Sequence, residues 1–267
     1  MSIHITSWSG RLGNNISQLV NTIIFADYFN INKINYPSHY FFKGNHILIN
    51  LNNKNSNKNY IKNKEYHDIF FSRKKICEKF EINEEIFDNT EIDIYSILKN
   101  IVNINSSVFD LNLTSNDLII HIRSGDVYSN NPHPGWVQPP LSFYNKVIND
   151  REWRKIYLIC EDDKSPIIKP LLKKYKNIIF KLQPLDIDIL YIFQCKNICF
   201  GMGSFVPALL LFNQELNTIY YPSYCYRPLI DILKYKNKKV YELNEYIQKG
   251  EWKNTNEQRN IMLEYEI

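Results

Sequence analysis

The sequence has no apolar run approaching the roughly 18 residues that a membrane-crossing helix needs. It also has no Cys-x-x-Cys pair and no strong excess of either charge. The first absence argues against a membrane span. The five cysteines (Cys77, Cys160, Cys195, Cys199, Cys225) are odd in number, which argues against a structural disulfide framework and for a reducing compartment. Met1-Ser2-Ile3-His4-Ile5-Thr6 lacks a basic region followed by an apolar stretch, so no signal peptide is expected and the location reads as cytoplasmic. No His/Cys cluster has zinc spacing, so no metal site is expected. GxxxxGK[ST] and GxSxG are missing, which counts against kinase, NTPase and α/β-hydrolase readings. Lys and Arg number 32 against 28 Asp and Glu, a net charge of +4. That suits an anionic small-molecule ligand and is too weak to argue for nucleic acid alone.

What is present is core material. Hydrophobic residues make up 44% and aromatics 14% of 267 residues, which excludes general disorder. The length fits one large α/β domain or two small ones sharing a cleft. Asparagine is the oddity, at 34 residues, with abundant Ile and Lys and only 8 Gly. This reads as the codon bias of an AT-rich genome, and it explains the sequons at Asn15, Asn105 and Asn112 by chance.

Ile3 and Ile5 begin a strand, followed by a turn over Ser9–Gly13 and a helix carrying Ile16, Leu19, Val20, Ile23, Ile24 and Ala26, capped by Asn14 or Asn15. Strand 33–36 ends at Pro37, residues 50–64 read as a solvated Asn/Lys loop, and a helix is expected over 92–102. Beyond it, strands at 117–122, 155–160, 177–182, 197–200 and 218–221 alternate with helices at 141–148, 166–175, 187–195 and 206–212. This alternation predicts a parallel sheet covered on both faces, with ligands at the carboxyl ends of its strands.

Chemistry therefore belongs in the turns after strands. Gly10-Arg11-Leu12-Gly13-Asn14 joins glycines to a helix N-terminus, which serves either as an ordinary βα turn or as an anion site. His121-Ile122-Arg123-Ser124-Gly125-Asp126 ends the most apolar strand. His121 and Arg123 alternate with Ile122 and so share one face. Arg123 offers a rigid fork of donors for phosphate, and the competing reading is a core ion pair with Asp126. The proline-stiffened loop that follows carries His133 and Trp136 and reads as an acceptor-binding lip or a plain connector. Gly201-Met202-Gly203-Ser204-Phe205 repeats the pattern of glycines, a hydroxyl and a helix start, where Ser204 also serves as a simple cap. Asp186-Ile187-Asp188 spells the DxD of metal-dependent sugar-nucleotide transferases, but its place at a helix start favours dipole complementarity, with Asp186 as cap.

Together these turns resemble the fucosyltransferase superfamily of α1,2-, α1,6- and protein O-fucosyltransferases. Residues 10–14 look like its G-R-[FL]-G-N turn, and 121–126 are similar to the H-x-R-R-G-D signature. Cys160-Glu161-Asp162-Asp163 resembles its T-D-D strand end, and Asp188, Gln194, Ser204 and Phe205 match the spacing of its last motif. The resemblance spans residues 9–212, with 40–115 unmatched. It implies a GT-B architecture, two Rossmann-like halves facing across a cleft: 1–115 on the acceptor side and 116–267 for the nucleotide sugar, with the last helix packing back on the first half. It also implies an inverting glycosyltransferase that moves L-fucose from GDP-fucose to a glycan hydroxyl, with no cofactor and no required metal.

By the same resemblance Arg123 contacts the β-phosphate, His121 and Asp188 the guanosine, and Gly203, Ser204 and Phe205 the phosphates. Arg11, Gly13 and Asn14 would approach the diphosphate or sugar from the other half. Asp126 is the nearest catalytic partner of Arg123, and His133 and Trp136 are the acceptor candidates. Ser124 departs from the signature, which has a second Arg there. Competing readings are another nucleotide-sugar donor, a non-catalytic nucleotide- or carbohydrate-binding protein, and a nucleic-acid binder using the basic stretches 50–64 and 72–79. For the last of these a solvated face is the better account.

Overall fold

A computed structural model describes residues 2–50, 66–67, 72–103, 110–225, 227–233 and 237–267. The predicted loop 50–64 falls outside them from residue 51 onward. The chain divides into two compact units, Met1–Asn105 and Ser106–Ile267. The boundary lies earlier than the expected 115/116. Residues 111–116 are tied into the second unit: the Leu111 N–H donates to Gln194 Oε1 (2.9 Å), and Asn197 and Arg154 hold the carbonyls of Ser115 and Asn116.

In the first unit, strand β1 (Ser2–His4) is followed by helix α1 (Leu12–Tyr28), β2 (Lys33–Asn35), β3 (His46–Leu48), β4 (Tyr66–His67), α2 (Arg73–Phe80), α3 (Glu85–Asp88) and α4 (Ile94–Ile101). The sheet order is β3-β2-β1-β4, with β1 parallel to both neighbours and β3 antiparallel to β2. Helix α1 is buried along almost its whole length, as its apolar run requires. It begins at Leu12, two residues before the expected caps. Arg11 occupies the cap position without its side chain capping the helix, and its carbonyl accepts from the N–H groups of Asn14 (2.9 Å) and Asn15 (3.1 Å). The helix ends where Asn30 turns left-handed (φ 56°) and the Ile31 N–H reaches back to Ala26 O at 2.8 Å, a Schellman-type stop. The basic stretch at 72–79 is not simply a solvated face. It forms α2, and buried Arg73 pairs with Asp88 (2.9 Å) and covers the Phe87 ring.

The second unit runs β5 (Asp117–His121), a 3-10 turn (Gly125–Tyr128), α5 (Leu141–Ile148), β6 (Lys155–Ile159), α6 (Ile168–Lys174), β7 (Ile178–Phe180), α7 (Leu185–Gln194), β8 (Asn197–Phe200), α8 (Phe205–Leu210), β9 (Thr218–Pro222), α9 (Arg227–Ile232), β10 (Asn237–Tyr241) and α10 (Asn256–Glu264). The strands form a six-stranded, wholly parallel sheet in the order β10-β9-β8-β5-β6-β7. Read from β7, this is the 3-2-1-4-5-6 order of a doubly wound Rossmann sheet.

Leu118, Ile120 and Ile122 of β5 and its continuation join Phe143, Val147, Ile168, Leu171 and Met262 in one core, so α5, α6 and α10 cover one face. Helices α7, α8 and α9 pack in sequence beside one another. Helix α10 packs against α5 of its own unit. The outer strand β10 is anchored by Lys239, which pairs with Asp150 (2.7 Å), while Asp150 also accepts from Tyr220 of β9 (2.9 Å).

Candidate functional site

In an open α/β sheet the crevice forms where the chain reverses its direction of strand addition. Here β6 and β7 extend the sheet on one side of β5, and β8, β9 and β10 on the other. The switch point therefore lies between β5 and β8. The turns leaving their carboxyl ends are 121–126 and 201–205, two of the segments singled out in the sequence.

These turns meet through side chains. The His121 and Phe205 rings lie 5.4 Å apart. A Cβ built on Gly203 (φ 138°) would lie 3.2 Å from Arg123 Nη1, so glycine both permits that backbone and leaves room for the guanidinium. Arg123 pairs with Asp126 at 3.3 Å, each side chain about a quarter exposed. Its other face is covered by Trp136, whose ring centroid lies 4.3 Å from the guanidinium carbon. His133 leans on Trp136 at 5.2 Å and accepts the Gly135 N–H at Nδ1 (3.0 Å). Both expected acceptor residues thus belong to the wall that holds Arg123, and the ion pair read as a competing explanation is present inside that wall.

Buried Gln138 fastens this wall to the β8 turn. Its amide nitrogen donates to Trp136 O (3.0 Å) and Met202 O (3.5 Å). Gly201 is the point of closest approach, because a Cβ there would lie 2.6 Å from Pro139 Cδ and 2.8 Å from Gln138 Oε1. The C-terminal segment closes the loop from behind. Tyr246 donates to Gln138 O (2.9 Å), Trp252 Nε1 donates to Val127 O (2.9 Å), and the N–H groups of Gly250 and Trp252 reach Pro134 O.

Ser124, the departure from the resembled signature, is completely buried, and its hydroxyl donates to Asp162 Oδ1. The same carboxylate accepts from the N–H groups of Gly125 (3.3 Å) and Lys164 (3.1 Å) and from Lys164 Nζ (2.8 Å). Burial pushes Asp162 up, but these donors prevail and bring it down to about 2. The second position of the turn is therefore a lock between the ends of β5 and β6. Beside it, Glu161 lies against Gly125 (φ 62°), where a Cβ would come within 2.3 Å of its Oε2.

On the other flank, burial and then the charge of Arg123 lower His121 to about 4, so its imidazole is neutral near pH 7. Asp188 sits in the first turn of α7, 7% exposed, with Oδ1 lacking any hydrogen-bond partner. Burial, with a smaller contribution from Asp186, raises it to about 7. Its charge is felt at the end of β6: burial first and Asp188 next push the Cys160 thiol up to about 12. Asp186 is not the cap expected of it, since Pro184 takes that position and Asp186 follows Leu185 inside the helix. Gln194, which shares the last resembled motif with Asp188, Ser204 and Phe205, accepts the Leu111 N–H. Ser204 precedes α8 at its cap position without bonding the helix through its side chain.

In the first unit, Arg11 is exposed at the start of α1, Gly13 is buried inside the helix, and the Asn14 amide covers Gly10 (φ 75°), where a Cβ would lie 2.5 Å from its nitrogen. The turn itself is held by Asn15, expected only as a helix cap, and by Gln18. Asn15 Nδ2 donates to Ser9 O (3.1 Å), Gln18 Nε2 donates to Ser7 O (3.1 Å), and Gln18 Oε1 accepts the Ser9 N–H (3.2 Å).

The second unit thus brings together His121, Arg123, Asp126, His133, Trp136, Gly203 and Phe205, with Asp188 on the β6 flank. Among the described residues no group of three or more His, Cys, Asp or Glu side chains is arranged to hold a metal ion, and no helix is long and apolar enough to cross a membrane. Comparison with protein-family models, curated proteins and solved structures returns no match.

Proposed function

We propose that the protein is an inverting glycosyltransferase of GT-B type that moves fucose from GDP-fucose to a glycan hydroxyl. The observation carrying this reading is Arg123, held at the β5/β8 switch point between Trp136, Asp126 and Gly203. As the glycosidic bond breaks, negative charge grows on the departing diphosphate. A guanidinium fixed beforehand stabilises that charge without first reorganising. Asp126 orients the guanidinium in its partly buried setting. The acceptor hydroxyl attacks the anomeric carbon from the side opposite the diphosphate as the C–O bond to the diphosphate breaks, and its proton passes to water, so a β-linked donor gives an α-linked product.

The donor base is chosen by Asp188. Guanine presents adjacent N–H donors on one edge, which suit a carboxylate whose oxygen has no protein partner, whereas uracil and thymine offer a single N–H between carbonyls. The neutral His121 imidazole and the Phe205 ring flank the nucleoside.

The test is turnover of GDP-fucose with galactose- and glucosamine-terminated acceptors, read as GDP release and product mass, alongside calorimetric binding of GDP, UDP and dTDP. Tight GDP binding with acceptor-dependent release is the expected result. Absence of both GDP binding and GDP release overturns the reading, UDP or dTDP preference changes the donor, and GDP binding without turnover on any acceptor leaves a nucleotide-binding protein.

A further inference from the structure

The core behind the β8 turn gathers four tyrosines from separate parts of the second unit. They are Tyr128 in the 3-10 turn, Tyr144 in α5, Tyr224 between β9 and α9, and Tyr246 after β10. Two of their hydroxyls are engaged: Tyr128 bonds Ser165 Oγ (3.1 Å), and Tyr246 donates to Gln138 O (2.9 Å). The hydroxyls of Tyr144 and Tyr224 are shut away from solvent and have no hydrogen-bond partner among the described residues. Burial above all pushes both phenols well above their ordinary range, so each stays neutral and can donate as well as accept. The two are neighbours: Tyr224 feels the charge of Tyr144, and both feel Tyr128, Tyr246 and Cys225.

Gln138 brings a third polar atom to the same place. Its amide nitrogen faces two carbonyls, Trp136 O (3.0 Å) and Met202 O (3.5 Å), which fixes the orientation of the carboxamide. Oε1 is thereby left buried and without a donor among the described residues. It lies over Gly201, where a Cβ would come within 2.8 Å of it. The Gly201 carbonyl in turn accepts from the Sγ of Cys225 (3.1 Å), the residue next to Tyr224. Three polar atoms on three segments thus gather around Gly201. Buried polar atoms of folded proteins are nearly always bonded, to protein or to ordered water.

We propose that this part of the core is an internal water site, in which ordered water donates to Gln138 Oε1 and bonds the hydroxyls of Tyr144 and Tyr224. The occupant has to donate to a carboxamide oxygen and exchange hydrogen bonds with two phenols, which water does with two donors and two acceptors. A sodium or potassium ion would also suit three oxygens. The phenols and the carboxamide are neutral, however, and an uncompensated charge in the core is costly. The site backs the wall that holds Arg123, because Gln138 joins Trp136 to the β8 turn. It stands independently of whatever binds in front of that wall.

The experiment compares urea unfolding of the unaltered chain, Tyr144→Phe, Tyr224→Phe and the double variant, changes that remove hydroxyls and keep the rings. If water completes the bonds, each hydroxyl is a net stabiliser, and each single variant should lower the folding equilibrium constant about fivefold. The double variant should lose clearly less than the product of the two, because both hydroxyls hold the same water. High-resolution crystals of the unaltered protein should show oxygen density within about 3 Å of all three atoms, and the double variant should lose it. If the hydroxyls instead have no partner, removing one relieves a desolvation cost. Either Phe variant matching or exceeding the unaltered chain in stability therefore overturns the site, as do strictly multiplicative losses. Stability that rises with sodium or potassium at constant ionic strength overturns it too, by putting a cation in place of the water.

Discussion

Trp136 lies face-on to Arg123, with the guanidinium carbon 4.3 Å from the ring centroid. Asp126 pairs with the same guanidinium at 3.3 Å, and Gly203 leaves room for it where a Cβ would come within 3.2 Å of Nη1. A contact of this kind contributes about 1 kcal/mol when partly desolvated. Trp136→Phe, which keeps a π face, is expected to retain most GDP affinity, whereas Trp136→Ala loses roughly fivefold or more. Arg123→Ala should abolish turnover in a protein that still melts cooperatively. Equal GDP affinity in Trp136→Ala and the unaltered protein would show that the ring does not position the guanidinium.

Asp188 links donor binding to pH. Its folded-state value is raised to about 7 by burial, so it is largely neutral in acid and ionises near neutrality. Only the carboxylate accepts both N–H groups of a guanine edge, so affinity for GDP-fucose should rise as pH increases from 6 to 8. Asp188→Asn should bind more weakly and lose that dependence. The stability of the empty protein runs the other way. A raised acid value favours the folded state below the unfolded value near 4, and that contribution is lost as pH climbs through about 7. Asp188→Asn should therefore gain thermal stability over the unaltered chain at pH 8 more than at pH 5. A pH-independent difference between their melting temperatures would contradict this.

The lock between Ser124 and Asp162 has the opposite sign. Asp162 is lowered to about 2, so its contribution is present above about pH 4 and is lost as pH falls toward 2. Removing the hydroxyl in Ser124→Ala should cost about 2 kcal/mol near neutrality, the scale of a bond to a charged acceptor. The deficit should narrow at pH 3. Urea unfolding at both pH values measures it. Ser124→Arg should be worse than Ser124→Ala, because the site is fully buried and filled.

Gly201 is a packing constraint. Gly201→Ala drives a methyl toward the rigid Pro139 ring and the buried Gln138 amide, at a cost of about 1–3 kcal/mol. Denaturant midpoints should fall accordingly, and GDP affinity should drop with them because Gln138 joins the Trp136 wall to the β8 turn. An unchanged midpoint would mean that the wall yields without strain.

The parallel strands β5, β6, β8 and β9 were legible in the sequence because strands buried on both faces read as continuous apolar runs. Strand β10 was not, since Asn237-Lys238-Lys239 reads as solvated chain until Asp150 is seen beside Lys239. Helix α2 was hidden for the same reason, because its buried Arg73 looks like any surface charge in one dimension. The α1 cap is not legible either, because Arg11 starts the helix through its backbone while the residues that cap by type, Asn14 and Asn15, lie inside it.

Within the site, His121 and Arg123 could be assigned to one face by alternation alone, and the ring of Phe205 beside His121 agrees with it. The roles of Trp136, Ser124 and Gln138 could not be read this way. Each depends on a partner brought close by folding, Asp162 lying 38 residues from Ser124 and Met202 lying 64 from Gln138. The two-half arrangement of the resembled family remains part of the proposal, while the second unit alone supplies the α/β sheet on which the site is built.

The outer strands of the six-stranded sheet bear on colloidal behaviour. A parallel sheet that ends in open strands offers unpaired backbone groups to any neighbouring chain. Strand β10 carries Lys238 and Lys239, and β7 is bracketed by Lys176 and Lys181. On β10 these lysines are spent inside the fold, Lys239 on Asp150 and Lys238 on the Ile230 carbonyl, so that margin is tied to its own unit by the charges it carries.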